Sequence, residues 1–146
     1  MQLSYRMENS NKKSSIAKES EINQKYSILI VDDNPSFVIA FETLLRSLLG
    51  KKLEYFDKAG NGREALEKVV DHPFFDYIFM DVSMPILDGI SAAKIINNDF
   101  YRNSIIVGIS FHNEQNVKKE MIFAGAKYFI NKANLTYNEL NKLFQL

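Results

Sequence analysis

A chain of 146 residues, 46% hydrophobic and 25% charged, has the make-up of one globular domain and is long enough to bury a core. Eighteen basic residues balance eighteen acidic ones, so no overall field favours nucleic acid or an anionic membrane, and direct DNA binding by this chain is not expected. The lack of cysteine excludes disulfides, thiolate metal sites and cysteine nucleophiles. No stretch approaches the roughly 18 consecutive apolar residues of a membrane span or supplies a signal-peptide core, so the expectation is a cytoplasmic protein without a membrane association.

Residues 1–25 read as a flexible tail, rich in Ser, Asn, Lys and Glu, with apolar residues that follow no sustained period. Residues 26–146 form the folded domain. Ile28-Leu29-Ile30-Val31 is a continuous β-branched run of the kind that suits a central strand covered on both faces. The next helix starts with Asn34 as cap and Pro35 at its first position, and aligns Phe37, Phe41, Leu44, Leu45 and Leu48 on one apolar face. Leu53 to Phe56, flanked by charge, predicts an edge strand. Asn61 and Glu64 have capping-box spacing at a second helix start, and His72-Pro73 closes that helix. Tyr77 to Met80 forms a third strand ending at Asp81, and Gly89 to Asn97 a third helix. Ile105 to Ile109 forms a fourth strand ending at Ser110, followed by a helix over Asn113 to Ala124. Lys127 to Asn131 is a fifth strand, stopping at Lys132. A last helix, with Thr136 and Glu139 in capping-box spacing, buries Leu140, Leu143 and Phe144. This (βα)5 alternation predicts an α/β fold, a parallel sheet with helices on both faces and right-handed crossovers.

In such open sheets ligands sit beyond the carboxyl ends of the strands. Asp32, Asp33, Asp81, Ser110 and Lys132 all fall there. Each alone has an ordinary structural reading, as a helix cap, a turn residue, a loop serine or a surface charge. Together they describe one pocket. Three converging carboxylates repel unless a cation joins them, and carboxylate oxygens with water are the ligands Mg²⁺ prefers. A lysine and a hydroxyl opposite that cation can hold the oxygens of a tetrahedral anion.

Over Tyr26 to Leu146 the sequence resembles the receiver domains of bacterial response regulators. The likeness rests on Leu29-Ile30-Val31-Asp32-Asp33, on Met80-Asp81-Val82-Ser83-Met84-Pro85 with Asp88-Gly89, and on Ala124-Gly125-Ala126 through Lys132. It implies a doubly wound, flavodoxin-like sandwich with strand order 2-1-3-4-5. It further implies that Asp81 takes a phosphoryl group from a histidine kinase or a phosphotransfer protein. Asp33, Asp81 and the Ser83 backbone carbonyl would bind Mg²⁺ directly, and Asp32 largely through water. Lys132 and Ser110 would bind phosphoryl oxygens, and Ser110 with Phe129 would form the switch that changes the output face. The contact signalled could be with a downstream protein, an effector domain or a second copy of the chain, as a phosphorylation-dependent homodimer.

Ala133 follows Lys132 where many receivers carry a cis-proline, and a trans bond is therefore expected, because a non-proline cis bond costs roughly 2.5–4 kcal/mol. Phe111-His112 after Ser110, Asn34-Pro35 and residues 59–66 resemble the LuxR and NarL regulators. Phe111 and His112 would flank the mouth of the site, with Phe111 slowing loss of phosphate. Two other readings stand beside this one. An aspartyl-phosphate phosphatase would carry a second aspartate where Ser83 stands, and a degenerate receiver would bind partners without phosphorylation.

Overall fold

The computed structural model describes residues 2–72, 74–99, 103–112 and 114–146, with side chains described from residue 9 onward. Five parallel strands lie in the order β2-β1-β3-β4-β5: β1 (Tyr26–Val31), β2 (Leu53–Ala59), β3 (Tyr77–Asp81), β4 (Ile105–Ser110) and β5 (Tyr128–Asn131). Among the described residues six α-helices accompany them: α1 (Gln2–Ile22), α2 (Pro35–Leu49), α3 (Gly62–Asp71), α4 (Gly89–Asp99), α5 (Gln115–Phe123) and α6 (Tyr137–Phe144). The expected doubly wound sandwich and strand order are what the chain adopts.

Alternation along the strands divides the core into two layers. Ile28 and Ile30 of β1, Tyr77 and Phe79 of β3, and Val107 and Ile109 of β4 meet Phe41 and Leu45 of α2 and Leu140 and Phe144 of α6. Leu29, Val31, Ile78, Met80 and Ile106 point the other way, onto Ala65 and Val69 of α3, Ala92 and Ile96 of α4, and Met121 of α5. Both faces of the sheet are thus covered, which is why β1 and β3 read as unbroken apolar runs. On the first face Tyr26 and Tyr77 also tie down the chain end, their hydroxyls donating to the Phe144 and Leu143 carbonyls at 3.2 and 3.3 Å.

The helix starts follow the expected chemistry. Asn34 Oδ1 accepts from Phe37 N, Asn61 Oδ1 from Glu64 N and Thr136 Oγ1 from Glu139 N, at 3.2, 2.9 and 3.3 Å. Glu64 reaches back to Gly60 N at 2.8 Å, one residue earlier than a standard capping box. Helix α3 ends with His72 as its cap; Pro73 lies outside the described residues, as does Asn113 before α5.

Two segments differ from the sequence expectation. Strand β2 runs to Ala59 rather than Phe56, because all of Ser27 to Val31 finds partners along it. Residues 2–22, read as an irregular tail, form α1. No proline or glycine interrupts them, and Lys, Glu, Gln, Met and Ala are good helix formers. Every side chain from residue 9 to 25 is exposed, so over that stretch of α1 intrinsic preference rather than core packing accounts for the helix.

Candidate functional site

The strand order reverses direction between β1 and β3, and the crevice beyond their carboxyl ends is the topological switch point. Asp32 follows β1 directly, its N–H donating to Ala59 O at 3.0 Å, so the strand ladder holds its backbone. Its Oδ1 accepts from Asn34 N at 2.9 Å, turning the chain into α2. Asp81 closes β3. The loop after it is short and tight: Val82 N donates to Ile109 O at 3.2 Å and Gly89 N to Val82 O at 2.9 Å. A Cβ on Gly89 would lie 1.8 Å from the Asp81 carbonyl oxygen, so only glycine lets α4 start this close to the end of β3.

Ser110 ends β4, only 2% exposed, and its Oγ accepts from His112 N at 3.0 Å. In the register of β4 and β5 it stands opposite Asn131, which immediately precedes Lys132. Asn131 Oδ1 in turn accepts from Ala133 N at 2.9 Å, starting the short 3-10 turn Lys132–Asn134 that aims the lysine back over the sheet. The Lys132–Ala133 bond is trans, as expected.

These elements bring the charges together. Carboxylate oxygens of Asp32, Asp33 and Asp81 lie within 4.8 Å of one another. Lys132 Nζ stands 2.5 Å from Asp32 Oδ2 and 3.2 Å from Asp81 Oδ1, its side chain only 5% exposed. Asp32 Oδ2 is buried and accepts no directional hydrogen bond, so its contact with the ammonium is ionic. Burial foremost, then the charges of Asp32 and Asp33, push the Asp81 carboxyl up to about 6, and Lys132 opposes them. One ammonium against three carboxylates leaves negative charge uncompensated in a largely buried crevice. A hard divalent cation with oxygen ligands fits that donor set, and the three acids could hold one.

Of the other predicted residues, Ser83, Phe111 and His112 are exposed, as is Asp33 within the cluster, and Phe129 on β5 is half-buried against the α3–α5 layer. One neighbour went unrecognised in the sequence. Phe37, assigned there only to the apolar stripe of α2, places its ring centroid 4.5 Å from Lys132 Nζ, and that of Phe111 is 5.2 Å away.

The family profile described as response regulator receiver domain matches residues 28–145. The chemotaxis protein CheY of Halobacterium salinarum is 36% identical over 105 residues, 72% of this chain and 82% of that protein. The signal transduction histidine-protein kinase BarA of Shigella flexneri is 28% identical over 107 residues, which are 73% of this chain and 11% of the kinase; the chain thus spans only about a tenth of that relative. Among solved structures, the signal receiver domain of the NarL response regulator from Mycobacterium tuberculosis superposes with a TM-score of 0.70 at 27% identity, covering 84% of this chain and 94% of the other.

Proposed function

This chain belongs to the response regulator receiver domain family of two-component systems, and on that premise we propose that Asp81 accepts a phosphoryl group in a Mg²⁺-dependent reaction. The observation that carries the reading is the buried Asp81 carboxylate, paired with Lys132 and set beside two further acids at the switch point. In the proposed step an Asp81 oxygen attacks the phosphorus of a phosphohistidine. The new P–O bond forms as the P–N bond breaks, giving an acyl phosphate and the free histidine. With its carboxyl at about 6, Asp81 is mostly ionised above neutral pH and needs no general base. Lys132, already beside the Asp81 oxygen, would bind a phosphoryl oxygen there, and the Ser110 hydroxyl would bind another; such charge neutralisation and positioning supply most of the catalysis in phosphoryl transfer. Asp33, Asp81 and the Ser83 carbonyl, with Asp32 through water, would hold the cation, which neutralises charge on the transferring oxygens.

The domain is a signalling module rather than a classical enzyme. Its proposed partners are a sensor histidine kinase or phosphotransfer protein upstream, and downstream a protein, an effector domain or a second copy, reached when Ser110 and Phe129 change the output face. The output is then a population shift between two conformations. A cytoplasmic location follows from these partners. The finer likeness to LuxR and NarL regulators rests on Asn34-Pro35, residues 59–66 and Phe111-His112; similarity to a chemotaxis protein and to a histidine kinase does not single that subgroup out.

Incubation with acetyl phosphate, with and without Mg²⁺, tests the proposal by intact mass and Phos-tag gel, with Asp81→Asn as control. The expected result is metal-dependent addition of one phosphoryl group that the variant lacks. No uptake and no response to beryllofluoride would instead make this a phosphorylation-independent binding module.

A further inference from the structure

We propose that Phe37 is a positioning residue: with Phe111 it forms an aromatic cage that holds the Lys132 ammonium against Asp32 and Asp81. The ammonium is in ionic contact with Asp32 Oδ2 at 2.5 Å and Asp81 Oδ1 at 3.2 Å. It also lies over two ring faces, with centroids 4.5 Å away for Phe37 and 5.2 Å for Phe111. Both rings lie within the roughly 6 Å at which a cation is drawn to an aromatic face.

The two rings have unequal standing. Phe37 stacks on Phe41 at 5.6 Å, and Phe41 meets Phe79 edge-on at 4.9 Å, so the wall it forms is braced into the core of the sheet. Phe111 is 61% exposed and meets Phe37 edge-on at 6.4 Å. Phe37 is therefore the fixed wall and Phe111 the outer cover. A lysine has four rotatable side-chain bonds and surrenders substantial rotamer freedom when held in one place. The cage meets part of that cost in advance, so the ammonium is already localised where charge develops during phosphoryl transfer.

The placement of Lys132 stands on the structure alone, whereas the kinetic consequence rests on the phosphoacceptor reading. Two measurements keep these apart. In EDTA, without any metal, the ε-methylene of Lys132 gives a carbon–proton NMR correlation, assigned by its loss in Lys132→Met and shifted upfield by the Phe37 ring current. Phe37→Leu keeps an apolar side chain of similar reach but no π face; Phe37→Tyr restores the face. The correlation is expected to move to the position of a free lysine in Phe37→Leu and to stay shifted in Phe37→Tyr. With acetyl phosphate and saturating Mg²⁺, Phe37→Leu is expected to lower the maximal uptake rate about tenfold with little change in the half-saturating donor concentration, and Phe37→Tyr to recover it. An unmoved Lys132 signal in Phe37→Leu, or an unchanged maximal rate, overturns the proposal. Should Phe37→Leu fail to fold, Phe111→Leu carries the same two readings at the exposed wall, with a smaller loss expected. Absence of uptake in the unaltered protein, with the Lys132 signal behaving as expected, would refute the phosphoacceptor reading and the kinetic part together while leaving the cage in place.

Discussion

Asp81→Asn should make the protein more stable, not less. The Asp81 side chain is only 9% exposed, and burial beside Asp32 and Asp33 raises its carboxyl from 3.8 to about 6 despite Lys132. At about 1.4 kcal/mol per pH unit, ionising it in the folded state costs roughly 3 kcal/mol more than in the unfolded chain. Between pH 3.8 and about 6 the folded protein binds more protons than the unfolded one, so stability falls as pH rises through that window. Asparagine is nearly isosteric and cannot ionise, so the variant lacks both the slope and the penalty. Urea unfolding followed by circular dichroism, in EDTA, should show Asp81→Asn ahead by about 2–3 kcal/mol at pH 7.5, with the gain vanishing near pH 4. Added Mg²⁺ should narrow the difference, because a cation bound by the acids stabilises the unaltered protein more. A variant no more stable at pH 7.5, or a gain independent of pH, would refute the reasoning.

Lys132→Met should have the opposite sign: leaving Asp32 and Asp81 without their ammonium should cost about 3–5 kcal/mol at pH 7.5 in EDTA, less at pH 5, read from the same urea curves. Gly89→Ala drives a methyl group to within 1.8 Å of the Asp81 carbonyl; it should cost about 1–3 kcal/mol in thermal melts and, on the proposed function, slow phosphoryl uptake by displacing Asp81. Phe111→Ala should shorten the lifetime of the phosphorylated form by opening the mouth of the site, measured as loss of label after donor removal; an unchanged lifetime counts against a gating role for that ring.

The sequence made the sheet and the acidic cluster legible for one physical reason. Strands β1, β3 and β4 are covered on both faces, so each reads as a continuous apolar run, and a polar residue that ends such a run marks a strand end. Asp32, Asp81 and Ser110 were found that way. Strand β2 was read too short because it lies at the sheet edge, where Asp57 pairs with Lys68 of α3 and Lys58 faces solvent without breaking the ladder. Helix α1 escaped notice because it buries none of its described residues, so no apolar period marks it. The position of Phe37 near Lys132 was invisible for a different reason. A stripe on a helix tells which side is buried but not which of its residues reaches the end of the sheet where the charges gather.

Gly108 sits on β4 opposite Phe129, and a Cβ there would lie 2.9 Å from the Phe129 ring and 2.6 Å from Met121 Cγ. The aromatic ring thus faces bare backbone there, with no β4 methyl group to interlock with and the unbranched, pliable thioether of Met121 close by. On this side the packing around Phe129 comes from α5 rather than from a β4 side chain, so a change at Met121 reaches the ring more directly than one on the neighbouring strand.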